Sequence, residues 1–227
     1  MRVLLISLAI VIIDQISKLA VKGFSIPFLK IHYDGMYEGQ RIRVLGNFFR
    51  ITFIENPGMA FGFDPGLDFK LWISIFSILA SIGLVAYIYH VRNQSRTLKI
   101  ALAFILGGAI GNLIDRMFYG IFYGYSSMFY GRVVDFLDFD FFHFSFFGRT
   151  FDRWPIFNFA DAAVTIGVII LIFFYKQKQK EESTGQTFEA SESSAITGTL
   201  NNSVSGTEAQ GKGGEDGEAD KGKEISF

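Results

Sequence analysis

Cysteine is absent from this 227-residue chain, which excludes disulfides, thiolate catalysis and cysteine–zinc sites. The three histidines, His32, His90 and His143, are scattered and form no His-x-x-x-His pair, so a zinc metalloprotease lacks its ligands. There is no Gly-x-Ser-x-Gly elbow and no phosphate-cradling glycine loop. No metal, cofactor or nucleic-acid partner is expected. What is abundant is apolar: 50% of residues are hydrophobic and 17% aromatic, and the mean hydropathy of +0.31 is high for a soluble domain. The net charge of −1 hides a split, +3 over residues 1–175 and −4 over residues 176–227. The second part is Gly-, Ser-, Thr- and Glu-rich with almost nothing to bury, and is expected to be a disordered tail without catalytic residues.

Four apolar stretches are long enough to span a bilayer, for which about 20 residues suffice. They run roughly over 3–21, 69–89, 98–118 and 158–175. The first carries Asp14 and Lys18 and lacks a small-x-small cleavage site, so it reads as a retained span and not as a signal peptide. Arg2, the 91–99 connection with Arg92, Arg96 and Lys99, and the lysines 176, 178 and 180 all fall on one face. The positive-inside rule then places both termini in the cytoplasm.

The opposite face holds two longer segments, about 22–68 and 119–157. In the first, Arg43–Ile54 alternates enough to predict short strands around a turn at Gly46-Asn47, ended by a second turn at Asn56-Pro57-Gly58. A small extracytoplasmic sheet or cradle is expected there. In the second, the phenylalanines from Phe136 to Phe151 predict membrane-interface anchors. The fold class is thus an all-α membrane protein with four transmembrane helices, a small β segment and a disordered tail.

Ionisable groups inside or beside such spans are costly and mark functional sites by default. With this topology, Asp14 on the first span, Asn112, Asp115 and Arg116 on the third, and Asn158 and Asp161 on the fourth reach one membrane depth, near Asp135. Two carboxylates sharing a site split their titration, so one serves as acid and the other as base. Such a pair can activate water and protonate a leaving amide nitrogen without metal or nucleophilic side chain. Asp135 and Asp161 are the candidates, with interfacial or helix-capping carboxylates as the alternative. Asp14 and Lys18, one turn apart, are expected to neutralise each other structurally. Asp115 fits either an ion pair with Arg116 or a structural pair closing its span, with Arg116 otherwise free for a substrate carbonyl or lipid phosphate. Asn112 is expected to point into the bundle, Asn158 to orient the Asp161 carboxyl, and Gly107-Gly108-x-x-Gly111 to permit close helix packing. A proton-coupled transporter would also hold carboxylates in its spans but usually shows repeated halves, which are lacking here. A structural four-span protein is a further alternative.

Five ordered motifs carry a resemblance. They are Asp14-Gln15-Ile16-Ser17-Lys18, Glu55-Asn56-Pro57-Gly58-Met59-Ala60-Phe61-Gly62, the run from Gly107 to Arg116, Gly131-Arg132-Val133-Val134-Asp135-Phe136, and Phe157-Asn158-Phe159-Ala160-Asp161. Together, over about residues 1–175, they resemble the lipoprotein signal peptidase family (signal peptidase II), four-span aspartic proteases of the bacterial inner membrane. The resemblance implies a catalytic dyad of Asp135 and Asp161. It implies substrate- or inhibitor-binding positions at Asn56, Gly58, Asn112, Arg116 and Asn158, and structural polar positions at Asp14, Lys18 and Asp115. The implied substrates are prolipoproteins already carrying a diacylglyceryl group, cut on the amino side of the lipidated cysteine at the periplasmic face. Membrane lipid and globomycin-type inhibitors are the other implied partners. The segments Met117–Tyr130 and Phe139–Arg153 are longer than the family pattern, and the acidic tail is an addition.

Overall fold

A computed structural model describes residues 2–58, 67–141, 144–146, 149–151 and 153–173 of the chain. The 176–227 tail, the second half of the Glu55–Gly62 motif and the end of the predicted fourth span lie outside these residues. Among the described residues three helices are long and apolar enough to cross a membrane: α1 (Leu4–Lys22), α2 (Leu67–His90), and α3 (Arg96–Ile114) with its continuation to Phe122. That continuation is a π turn, Asp115–Tyr119, and the single turn α4 (Gly120–Phe122). A shorter apolar helix, α5 (Phe159–Phe173), follows the loop region. Among the described residues each of the four expected stretches is helical, but only the first three reach the length of a span, the fourth being shorter.

Helices α1, α2 and α5 each bury one side and leave large apolar side chains on the other, while α3 lies among them with no large apolar side chain exposed between Leu98 and Ile114. Leu5, Leu8, Ile12 and Ile16 on α1, Trp72, Phe76, Leu79 and Ile82 on α2, and Ile166, Ile169 and Ile172 on α5 are all exposed. An exposed apolar girdle of this extent is the surface a bilayer covers. Polar side chains inside the helices are satisfied locally. Ser77 and Ser81 donate to the carbonyls one turn back, and Ser7 crosses from α1 to the Ala103 carbonyl of α3 at 2.8 Å. Ser95 caps α3 by accepting from the Leu98 N–H.

The expected close packing is present. Gly107 faces Ile10 of α1, and a Cβ built on Gly108 would run into the Ala160 carbonyl and lie 2.6 Å from Val164 Cγ2. Only a missing side chain lets α3 meet α1 and α5 at this separation.

The described residues between the helices form three small antiparallel sheets. Strands β1 (Phe24–Ile26) and β2 (Ile31–Tyr33) form a hairpin. Strands β3 (Arg41–Leu45), β4 (Phe49–Asn56) and β5 (Val133–Phe139) form a sheet in that order. Strands β6 (Phe144–Phe146) and β7 (Arg149–Phe151) pair with each other. The predicted turn at Gly46-Asn47 joins β3 to β4, and the second turn begins where β4 ends.

Two expectations need correction. The central sheet is not made from the first outer segment alone, because β5 of the second segment completes it, pairing Ile54 with Asp135 and Asn56 with Val133. Phe136 and Phe139 are also not interface anchors. Phe136 is buried in the cluster of Val21, Phe53, Tyr119 and Val134, while Phe139 stacks on Phe49 at 4.4 Å and on Phe141 at 5.0 Å. Every residue of β5 up to Asp138 is buried, so these aromatics serve a core between the sheet and the helix ends.

Adding a methyl at the α3–α5 contact is therefore expected to be costly. Gly108→Ala should lower stability by about 1–3 kcal/mol, the usual range for overpacking a tight contact. Gly83→Ala on α2, where nothing lies within 4 Å, should leave the thermal unfolding midpoint in detergent unchanged or raised. Equal effects at both positions would contradict the packing described.

Candidate active site

The centre of the polar network is Lys18. Its side chain is fully buried and its Nζ lies 2.8 Å from Asp14, 2.8 Å from Asp115 and 2.9 Å from Asn112 Oδ1. All three donors of the ammonium group are thereby used. The helical spacing of Asp14 and Lys18 brings the pair together as expected. Asp115 differs from one of the expected alternatives: its partner is Lys18 of α1 and not the adjacent Arg116. Its carboxylate also accepts from Gln15 Nε2 at 3.0 Å and from the Val134 N–H at 3.1 Å. This last bond ties β5 to the end of α3. Gly131 permits it, since a Cβ there would strike the Asp115 carbonyl, and its N–H donates to the Arg116 carbonyl at 2.9 Å. The π turn that starts at Asp115 is an uncommon geometry found preferentially at functional sites.

Gln15 was passed over by sequence reasoning, yet it bridges Asp14, the Gly111 carbonyl and Asp115, and accepts from Tyr119 Oη. Its place between Asp14 and Lys18 in the first motif was the only available signal.

Asp161 is positioned by the start of α5. Asn158 Oδ1 accepts from the Asp161 N–H at 3.0 Å, and Asp161 Oδ2 accepts from the Asn158 N–H at 3.3 Å. The two residues thus cap the helix reciprocally, in the manner of a capping box. Asp14 Oδ1 accepts the Ala160 N–H, another orphan donor of the first turn, at 3.0 Å. Asn112 donates to Asp161 Oδ1 at 2.8 Å while accepting from Lys18 and from Asn158 Nδ2. It points into the bundle, as expected.

Asp135 projects from the middle of β5 and is 4% exposed. Asn158 Nδ2 donates to its Oδ1 at 2.7 Å, and Asn56 Nδ2 to its Oδ2 at 3.2 Å. The side chain of Asn158 therefore orients Asp135, whereas Asp161 is held through the backbone N–H of Asn158. Asn56 is itself held by the turn, its Oδ1 accepting from the Gly58 N–H at 2.9 Å. Gly58 has φ +99°, a backbone state that a side chain disfavours. Burial first, and the nearby Asp161 second, push the Asp135 carboxyl up from its usual 3.8 to about 7. Arg116 is half-buried in the field of Asp115, Asp161 and Asp135, and its guanidinium makes no hydrogen bond or ion pair with the described residues. Among those residues no group of three His, Asp or Glu side chains gathers as a metal site.

The sequence matches the signal peptidase (SPase) II family over residues 6–176. The chain belongs to the signal peptidase II family. Similar proteins include the lipoprotein signal peptidase of Pelodictyon phaeoclathratiforme, 35% identical over 80% of this chain and 95% of the relative. That of Chlorobaculum tepidum is 36% identical over 76% of this chain and 93% of the relative. A bacterial membrane enzyme solved by the in meso method at 2.3 Å resolution superposes with a TM-score of 0.56 at 29% identity, covering 78% of this chain and 89% of that one. As a signal peptidase II, the protein is a membrane peptidase of lipoprotein processing.

Two outcomes follow from this geometry. Lys18→Met leaves Asp14 and Asp115 buried without their counter-charge and should cost about 3–5 kcal/mol, the range for breaking a buried pair. Adding Asp115→Asn should recover part of that loss in the thermal midpoint.

Asp135 binds its proton more tightly folded than unfolded, so it destabilises the fold as pH rises from about 4 to about 7. Its stabilising effect is complete below the unfolded value and lost above the folded one. Asp135→Asn lacks this loss and should be the more stable protein at pH 8, by up to roughly 4 kcal/mol. The advantage should shrink toward pH 4 in unfolding midpoints measured across that range.

Proposed function

We propose that the protein is an aspartic endopeptidase whose dyad is Asp135 and Asp161, and that it removes the signal peptide from diacylglyceryl-modified prolipoproteins. The observation that carries this reading is Asn158. Its side chain holds Asp135 and its backbone holds Asp161, so one residue keeps two carboxyls from different elements in mutual range. Asp161, held by the Asn112 amide and the Asn158 backbone N–H, takes the proton of the attacking water. Asp135, whose proton is retained to about pH 7, donates that proton to the scissile carbonyl oxygen as the water adds. Asp161 then passes the proton taken from water to the leaving nitrogen, and Asp135 recovers a proton from the diol hydroxyl as the C–N bond breaks. No covalent intermediate is needed.

Arg116, which makes no hydrogen bond or ion pair with the described residues, is assigned the substrate backbone carbonyls. Asn56, Gly58 and Asn112 shape the rim of the site, and a globomycin-type cyclic peptide would block it by occupying the same donors. The sheet of β3, β4 and β5 together with the β1–β2 hairpin serves as the cradle. Its exposed apolar residues, including Phe28, Leu29 and Tyr37, suit the surface of a leaflet that holds the substrate's acyl chains. Anchoring the substrate there would restrict its scissile bond to the depth of the dyad, on the amino side of the lipidated cysteine. With Arg2, Arg92, Arg96 and Lys99 at the opposite end, both termini lie in the cytoplasm and the dyad at the periplasmic face of the inner membrane. The 1–175 region is the peptidase domain, and 176–227 is an appended cytoplasmic tail.

Cleavage of a diacylglyceryl-modified prolipoprotein by purified protein tests the assignment. Asp135→Asn and Asp161→Asn should each lose on the order of 10³-fold or more in kcat while retaining the helical spectrum of the folded protein. The wild-type kcat/KM should decline above about pH 7 as Asp135 gives up its proton. Turnover surviving in either variant would reassign that carboxylate.

A further inference from the structure

At the end of the helix bundle away from the dyad lies a cavity of about 490 Å³, lined by Arg2, Val3, Ile6, Ile88, Arg92, Arg96, Lys99 and Ile100. Four of the eight lining residues are cationic and none is acidic. The remaining four are aliphatic and form an apolar wall from α1, α2 and α3. Among the described residues none of the four cations makes an ion pair. Two of them are nevertheless held in place: Lys99 Nζ donates to the Arg92 carbonyl at 2.8 Å, and the Arg92 guanidinium lies 4.6 Å from the Tyr89 ring centre. The first turn of α3 carries no acidic residue, so the positive end of its dipole also faces this region uncompensated.

An uncompensated cluster of four cations is unfavourable by itself, through mutual repulsion, and is relieved by a bound anion. The chemistry called for is a phosphate or phosphodiester, which arginine matches with paired donors. The aliphatic wall decides between a free anion and a lipid. A soluble phosphate has no use for Val3, Ile6, Ile88 and Ile100, whereas a phospholipid brings glycerol and acyl carbons to cover them. The cavity also lies where membrane-length helices end, at the depth of a headgroup. Basic pockets between such helix ends are a known mode of headgroup binding. From Arg96 to Asn112 along α3 the separation is about 24 Å at 1.5 Å per residue, so this pocket is not part of the dyad's substrate site.

We propose that the cavity is a binding site for the headgroup of an anionic phospholipid, held by Arg2, Arg92, Arg96 and Lys99, with its acyl region against Val3, Ile6, Ile88 and Ile100. The bound lipid clamps the start of α1 to the α2–α3 connection.

The test uses the full chain in detergent micelles, titrated with phosphatidylglycerol, phosphatidylcholine or inorganic phosphate. Native mass spectrometry reads the bound lipid and thermal unfolding reads stabilisation. Wild type should retain phosphatidylglycerol at least ten-fold more tightly than phosphatidylcholine, with a rise in the unfolding midpoint that inorganic phosphate at millimolar concentration does not reproduce. The triple variant Arg92→Gln, Arg96→Gln, Lys99→Gln should lose at least ten-fold in phosphatidylglycerol affinity. The charge-keeping double variant Arg92→Lys, Arg96→Lys should retain most of it and shows that substitution here is tolerated. Lys70→Gln, near the opposite end of α2, should bind like wild type. Equal retention of the two lipids, or undiminished binding by the triple variant, overturns the proposal. Stabilisation by inorganic phosphate equal to that by phosphatidylglycerol reduces the site to a simple anion site and overturns the lipid assignment.

Discussion

The buried ammonium of Lys18 is the interaction on which the rest of the polar architecture depends. It neutralises one carboxylate from its own helix and one from α3, and its third proton goes to Asn112. An isolated charge in a hydrocarbon-facing bundle is costly, but here each ion has a charged partner and further donors. Asp14 spends its other oxygen on the first turn of α5, and Asp115 spends part of its capacity on Val134 of β5. One cation thus fixes the relative placement of α1, α3, α5 and β5. Asn112 passes that placement on to Asp161. The structural ion cluster and the candidate dyad are one hydrogen-bonded network with separate tasks.

The two candidate carboxyls come from unlike elements. Asp161 sits at the third position of a helix, where its carboxylate accepts from the cap residue's N–H and from Asn112. Asp135 sits on a strand buried on both faces, between Val134 and Phe136. The strand reaches the membrane depth of the helix ends because β4 pairs with it along its length and the Phe157 carbonyl accepts from both Phe136 and Leu137. Asn158 immediately follows Phe157. The bridge that docks β5 on the start of α5 therefore also delivers the amide that holds Asp135.

Much of this was legible in the sequence, and the limits have physical causes. Asp14 and Lys18 share a helix face at i, i+4, a spacing that local geometry settles without the rest of the chain. The helix boundaries and the turns at Gly46 and Gly58 were likewise local signals. The partner of Asp115 was not, because Lys18 and Arg116 are equally plausible cations until the crossing of α1 and α3 is known. The pairing of β4 with β5 joins residues about eighty positions apart, and no periodicity encodes that register. The aromatic run beginning at Phe136 was misread for a related reason. A strand covered on both faces shows a continuous apolar run, as an interfacial segment does, and only the packed partners Phe49, Phe53 and Phe157 distinguish them.

Burial separates the two candidate carboxyls. Asp135 is almost completely enclosed, and the removal of water is the first cause of its retained proton. Asp161, held at the mouth of α5, is only half-buried, which leaves it the better placed to meet an incoming water. A hydrolase working in a membrane needs both conditions within a few ångströms: a dry side, where a carboxylic acid stays protonated near neutral pH, and a wet side, where the nucleophile arrives. A helix pair alone would have given both carboxyls similar surroundings. The strand supplies the difference, and this is the physical reason for a sheet at the end of an otherwise helical bundle.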